Sequence, residues 1–177
     1  MKKLLLPFLL LSSLYANAKI YVGTSAAYIN ESFDNINQSN SYPSARVKIG
    51  YGNRDAYAIE FTLGYLDNES LIYDATKYDL EKYEFNVDLI KAFNFDIFVN
   101  PFIKAGFGMG ILQTQTYGSL SYGSWNLGSG FLIPINDTFD IEVGYEYKRN
   151  SYKRSQDKSI SRKSHTNAVY TGLNFRY

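Results

Sequence analysis

The chain has 177 residues, a formal net charge of +1 and no cysteine. Its length suits one domain, and its near-neutral charge gives no electrostatic case for nucleic acid or an acidic substrate. Disulfides, thiol chemistry and cysteine-based metal sites are excluded outright.

The first segment reads as a secretory signal peptide. Lys2 and Lys3 precede an apolar stretch over residues 4–14, and Ala16-Asn17-Ala18 fits a small-x-small cleavage site. Cleavage before Lys19 divides the chain into a signal at 1–18 and a single domain at 19–177. The stretch is well short of the ~20 residues of a spanning helix. There is no cysteine at the cleavage site to carry a lipid. Beyond it no apolar run approaches spanning length, so entry into a membrane requires a closed barrel.

From residue 20 onward the side chains alternate with period two, the signature of strands that show one set to each face. The first strand, over residues 20–29, is one of the weaker cases. The second sets Ala45, Val47, Ile49 and Tyr51 against Arg46, Lys48 and Gly50. The third sets Tyr57, Ile59, Phe61, Leu63 and Tyr65 against Ala58, Glu60, Thr62 and Gly64. The fourth opposes Tyr83, Phe85, Val87 and Leu89 to Glu84, Asn86 and Asp88. The fifth opposes Ile103, Ala105, Phe107, Met109 and Ile111 to Lys104 and three glycines. The sixth, over 120–133, shows its apolar face only at Trp125, Leu127, Phe131 and Ile133. The seventh sets Phe139, Ile141, Val143, Tyr145 and Tyr147 against Asp140, Glu142, Gly144 and Glu146. The eighth sets Val169, Thr171, Leu173, Phe175 and Tyr177 against Ala168, Tyr170, Gly172, Asn174 and Arg176. Eight strands of this kind predict an all-β, antiparallel up-and-down barrel.

Glycine decides which face points inward. Of 13 glycines, ten share the charged face: Gly23, Gly50, Gly64, Gly106, Gly108, Gly110, Gly128, Gly130, Gly144 and Gly172. Glycine weakens a strand and gains nothing on a solvated exterior. In the lumen of an eight-stranded barrel, barely wide enough for side chains, it makes room for long neighbours. The apolar face is therefore predicted to meet lipid, with Tyr and Phe near both strand ends as interfacial girdles. The connections at the end opposite the termini fall at 30–41, 67–77, 113–119 and 149–164. Those at the same end as the termini fall at 52–55, 94–100 and 134–138, marked by Gly52-Asn53, Asn100-Pro101 and Asn136-Asp137. Residues 93–99 are apolar enough to extend a strand.

Pro101-Phe102-Ile103-Lys104-Ala105-Gly106-Phe107-Gly108 resembles the Pro-aromatic-x-x-Ala-Gly-x-Gly fifth strand of small outer-membrane barrels. These are the OmpA-like and opacity-protein-like barrels of the porin superfamily. Residues 139–147 are similar to their seventh strand, which ends in Tyr-x-Tyr, and residues 172–177 to their closing strand. The resemblance implies an outer-membrane location and a closing-strand signal, here Leu173, Phe175 and Tyr177, read by the barrel-assembly machinery. The last residue is Tyr where the family more often has Phe.

Two sets of residues are candidates for function. Arg46, Lys48, Lys104 and Arg176 share the inward face with Glu60, Glu84, Asp88, Glu142 and Glu146, with Asp140 and Lys148 nearer the rims. Charges so enclosed must pair or stay hydrated. They either plug the lumen or line a narrow ion pathway that opens by exchanging partners; a general porin needs about 16 strands. The second set, Arg149, Lys153, Arg154, Lys158, Arg162 and Lys163, is opposed within the last far connection only by Asp157. Such a loop suits the phosphates of lipopolysaccharide or another polyanion, or is a solvated loop balanced by Asp67, Glu69 and Asp74. The resemblance to opacity proteins adds a host or matrix surface as partner. A monomer is expected, because a closed barrel leaves no strand edge to cover.

An enzyme reading centres on His165, the single histidine. His165-Thr166-Asn167-Ala168 is similar to the His-x-Ser-Asn of PagL-type lipid A deacylases, but one residue short, and no carboxylate follows it. A triad needs nucleophile, base and acid in mutual reach. The prediction is therefore no catalytic residue, no metal and no cofactor.

Overall fold

The computed structural model describes residues 18–34, 39–70, 78–114, 118–154 and 161–177. Residues 1–17 of the predicted signal lie outside these, as do Asp74, Asp157 and Lys158. Eight strands follow one another: β1 (Lys19–Phe33), β2 (Ser39–Gly52), β3 (Tyr57–Ser70), β4 (Tyr78–Ala92), β5 (Asn100–Thr114), β6 (Gly118–Pro134), β7 (Phe139–Arg154) and β8 (Ser161–Arg176). Each pairs antiparallel with the next, and β1 closes on β8, from Tyr21 opposite Arg176 to Phe33 opposite Ser164. Closure leaves no unpaired edge, so the wall satisfies its own backbone groups.

The greasy side is outside. Phe107 is 76% exposed and Leu89 53%, whereas Glu60, Asp88 and Glu142 are each 2% exposed. This inverts the arrangement of a water-soluble barrel. Aromatic pairs brace the outer wall at both ends. Trp125 lies 5.7 Å from Tyr147, and at the termini end Phe175 lies 5.7 Å from Phe139 and 4.8 Å from Tyr177.

The strands run further toward the far end than their apolar alternation indicates. β1 reaches Phe33, and β7 reaches Arg154. Arg149, Lys153 and Lys163, predicted in a loop, therefore stand on strands, and the described chain pairs even beyond β1, Asp34 N–H donating to Lys163 O at 3.0 Å. Cross-strand pairing needs a neighbour, not a lipid-facing side chain, so the ladder continues where both faces have become polar.

At the termini end, each connection is organised by an asparagine that accepts from the backbone two residues on. Asp55 N–H donates to Asn53 Oδ1 at 2.9 Å, Asp96 N–H to Asn94 Oδ1 at 2.7 Å, and Thr138 N–H to Asn136 Oδ1 at 2.8 Å. Residues 93–99, apolar enough for a strand, form a turn instead. The Asn94 contact and a left-handed Asp96 (φ 57°) bend the chain out of the sheet. Asn100 opens β5 and donates to Asp55 Oδ1 at 2.7 Å, tying two turns together.

Inside, glycine makes room for aromatic rings as well as for charges. A Cβ at Gly110 would lie 2.5 Å from Tyr122 Cζ, and one at Gly144 would lie 2.6 Å from Tyr170 Cζ; Gly50 stands under Tyr21 in the same way. The charged face also turns apolar toward both ends of the lumen. Ala58, Ile90, Ala92, Phe102 and Leu132 pack near the termini end, and Phe33, Leu112, Leu120, Tyr122 and Tyr152 near the far end.

Candidate functional site

The ion pairs of the lumen form successive clusters along the barrel. Nearest the termini, Asp140 receives Arg176 Nε and lies 3.3 Å from Arg54 Nη1. Next, Lys48 Nζ bonds Glu142 and lies 3.3 Å from Glu60 Oε2, which also accepts from Tyr21 Oη at 2.9 Å. At mid-barrel Glu146 is held by Lys104 at 2.7 Å, Arg46 at 3.2 Å and Lys148 at 3.5 Å. Glu84 belongs to the same cluster, 3.0 Å from Lys148 and 3.5 Å from Arg46. Toward the far end, Glu31 accepts from Lys82 at 3.3 Å, Tyr152 Oη at 2.7 Å, Ser164 Oγ at 2.5 Å, Asn150 Nδ2 at 3.2 Å, and Tyr42 Oη.

At mid-barrel, the carboxylates of Glu60, Glu84, Glu142 and Glu146 balance the cations of Arg46, Lys48, Lys104 and Lys148. Enclosed this far from water, each charge is tolerable only because its partners and hydrogen bonds offset the lost hydration. Three cations also cap aromatic rings: Arg176 over Tyr21 at 4.5 Å, Lys104 over Tyr170 at 4.6 Å and Lys82 over Tyr122 at 4.8 Å. Each of these rings lies on a glycine of the neighbouring strand, so glycine, tyrosine and cation stack three times in the lumen.

Of the predicted luminal set, Lys48, Glu60 and Glu142 form one cluster and Arg46, Glu84, Lys104 and Glu146 another, while Arg176 pairs with Asp140 and covers the Tyr21 ring that donates to Glu60. Asp88 is buried on the same face and forms no ion pair among the described residues. Lys148, predicted near a rim, instead bridges Glu84 and Glu146. The inward face of β7 continues past the point where its outer face stops being apolar. Sequence reasoning missed Glu31, Tyr42, Lys82 and Tyr152. Their signal was parity: Lys82 continues the even-numbered face of β4, and Glu31 the odd-numbered face of β1.

The basic set divides. Arg149 forks onto Asp34, Nη1 to Oδ1 at 2.9 Å and Nη2 to Oδ2 at 2.5 Å. Lys153 and Lys163 are exposed on the outer wall. The backbone of Arg154 ends β7 opposite Leu120, and that of Arg162 is the second residue of β8, opposite Tyr152. His165 is not at a loop junction but within β8, directly across from Ser32, and the Asp34 carboxylate that sequence order concealed lies 4.0 Å from its Nδ1. That carboxylate is committed to Arg149, and 4.0 Å is beyond hydrogen-bond length. Leu173 and Tyr177, of the predicted assembly signal, are exposed on the lipid-facing side of the chain end, with Phe175 half-buried between them. Among the described residues no cluster of His, Asp and Glu is arranged to hold a metal ion.

A family model for the outer membrane protein beta-barrel domain matches residues 4–176. The chain belongs to that family. An outer-membrane location follows for this barrel, and the short turns at the termini end then mark the periplasmic side, the far end the cell exterior. Its fold is similar to that of neisserial surface protein A, with 18% identity, a TM-score of 0.70 and coverage of 92% of this chain and 100% of that one. It is also similar to Ail of Yersinia pestis, solved with the heparin analogue sucrose octasulfate, at 16% identity and a TM-score of 0.60 over 92% and 100% of the two chains. The outer-membrane enzyme PagL shares the fold at 13% identity and a TM-score of 0.56, over 84% and 97%. No curated protein matches the chain in sequence.

Proposed function

We propose that this outer-membrane barrel is a closed, non-enzymatic surface protein that acts through its exterior, binding polyanions at its extracellular end. The observation that carries the reading is the lumen, where successive buried ion-pair clusters lie between apolar packing toward both ends. Charges committed to one another in this way favour a role for the rim and the outer wall. The basic set on β7, β8 and their connection supplies charge of the right sign for lipopolysaccharide phosphates, or for sulfated glycans of a host or matrix surface. Ail, of like fold, was solved with a sulfated ligand. The test is binding of the purified barrel to immobilised heparin and to lipopolysaccharide. Replacing Arg154, Lys158 and Arg162 with Ala weakens both; unchanged binding overturns the reading.

A second reading, a narrow ion pathway, draws on one feature. Asn86, Asp88, Ser124 and Asn126 expose polar atoms without protein partners toward the glycine-rich inner face of β5. Such atoms are commonly served by water. Planar-bilayer recording separates the readings: the closed barrel gives no unitary events, and reproducible channels abolished by Lys104→Ala or Glu142→Ala establish the pathway instead.

A further inference from the structure

Gly123 is unlike the inward-facing glycines. It points out of the barrel, and a Cβ there would meet nothing nearer than Gly108 O at 4.0 Å. The gap opens a groove of about 720 Å³ on the outer wall, lined among others by Phe107, Trp125, Ser151, Lys153 and Lys163. Register explains the grouping. Gly123 stands opposite Ser151, Ser151 stands opposite Lys163, and Lys153 is the next outward residue on β7. Two lysines thus flank the notch. Neither has an acidic partner among the described residues, whereas Arg149 beside them is occupied by Asp34.

The groove's position narrows its occupant. Trp125 and Tyr147 form the aromatic pair on its membrane side, the level at which such rings mark the lipid–water boundary. Lys163, opposite Ser151, and Lys153, the next outward residue on β7, lie one and two outward steps beyond Trp125, at the height of the headgroups. An apolar floor below two neighbouring cations is complementary to a molecule with acyl chains below and phosphate above. We infer that the groove at Gly123 seats lipid A of the outer leaflet, its phosphate between Lys153 and Lys163 and a chain against Trp125 and Phe107. This rests on the polyanion reading above but moves the contact from the rim to the wall and names the ligand.

Trp125 is the only tryptophan in the chain, so the wild-type protein carries its own reporter. The barrel is reconstituted in phosphatidylcholine nanodiscs and titrated with bisphosphorylated lipid A or its fully dephosphorylated counterpart, following Trp125 emission. The phosphorylated lipid shifts the emission and the dephosphorylated one does not. The Lys153→Ala/Lys163→Ala variant weakens the response by roughly tenfold or more. Gly123→Leu, which removes no charge and has open space for its side chain, weakens it too by filling the notch. Equal responses to the two lipids, or full response in both variants, would overturn the inference. The rim variant of Arg154, Lys158 and Arg162 keeps the groove intact and retains the response even where heparin binding is lost. A response lost with the rim would equally overturn the groove.

Discussion

Lys104 Nζ on β5 lies 2.7 Å from Glu146 Oε2 on β7, two strands away across the lumen. Neither residue reaches water, so each holds the other's charge in place. Glu146→Ala leaves Lys104, Arg46 and Lys148 short of a counter-charge and lowers stability by about 3–5 kcal/mol. Lys104→Ala combined with Glu146→Ala costs less than the two single losses summed, because the shared interaction is lost only once. Urea titration of the folded barrel in lipid, followed by heat-modifiable gel mobility, measures both.

The stacking of glycine, tyrosine and cation gives a sharper test. Gly110→Ala places a Cβ within 2.5 Å of Tyr122 Cζ, and against the backbone oxygen of Tyr83. Overpacking of this kind costs about 1–3 kcal/mol. Gly123→Ala on the outer wall has no such neighbour and leaves the unfolding midpoint unchanged.

Outward placement of the apolar face predicts depth-dependent damage from charge. Val143 lies midway between Phe139 and Tyr147 on β7 and is 40% exposed. Val143→Arg destabilises the barrel by about 2–4 kcal/mol in lipid. The same change at the rim residue Tyr177 costs about 1 kcal/mol or less. Equal effects at the two sites would contradict the membrane position given to β7.

Glu31 gathers Lys82, Tyr42, Tyr152, Ser164 and Asn150 at the extracellular end of the lumen. Glu31→Ala leaves Lys82 buried and unpaired, so the end loosens locally. Faster amide exchange is expected at the outer ends of β1, β7 and β8, with the periplasmic ends protected as before. Uniform acceleration along all eight strands would show a global effect instead.

Asp34 approaches His165 but is forked to Arg149, and this arrangement predicts no acyl hydrolysis. The purified barrel should release no fatty acid from lipid A or phospholipid, and His165→Ala should change nothing. Release that disappears in His165→Ala would make Asp34 the orienting acid of an active site.

Much of the luminal site was readable, and the limits of that reading are physical. Alternation placed Arg46, Lys48, Glu60, Glu84, Lys104, Glu142 and Glu146 on one face, since strand side chains change sides at every residue. It stopped too early at Glu31, Lys82 and Lys148, where the outward positions are no longer apolar and the alternation loses its contrast. Asp34 could not be associated with Arg149 and His165, because they lie far apart in the chain and meet only through closure of β1 on β8.

By itself the sequence determined the number of strands, the face each side chain takes and the direction of the lipid, because period two and the placement of glycine are local properties. The tertiary structure alone decided who pairs with whom. Lys48 reaches Glu142, and Arg46 reaches Glu146, across a lumen whose strand tilt and stagger set the height of every residue. The notch at Gly123 has the same origin: it exists because β6, β7 and β8 bring Ser151, Lys153 and Lys163 beside a missing side chain.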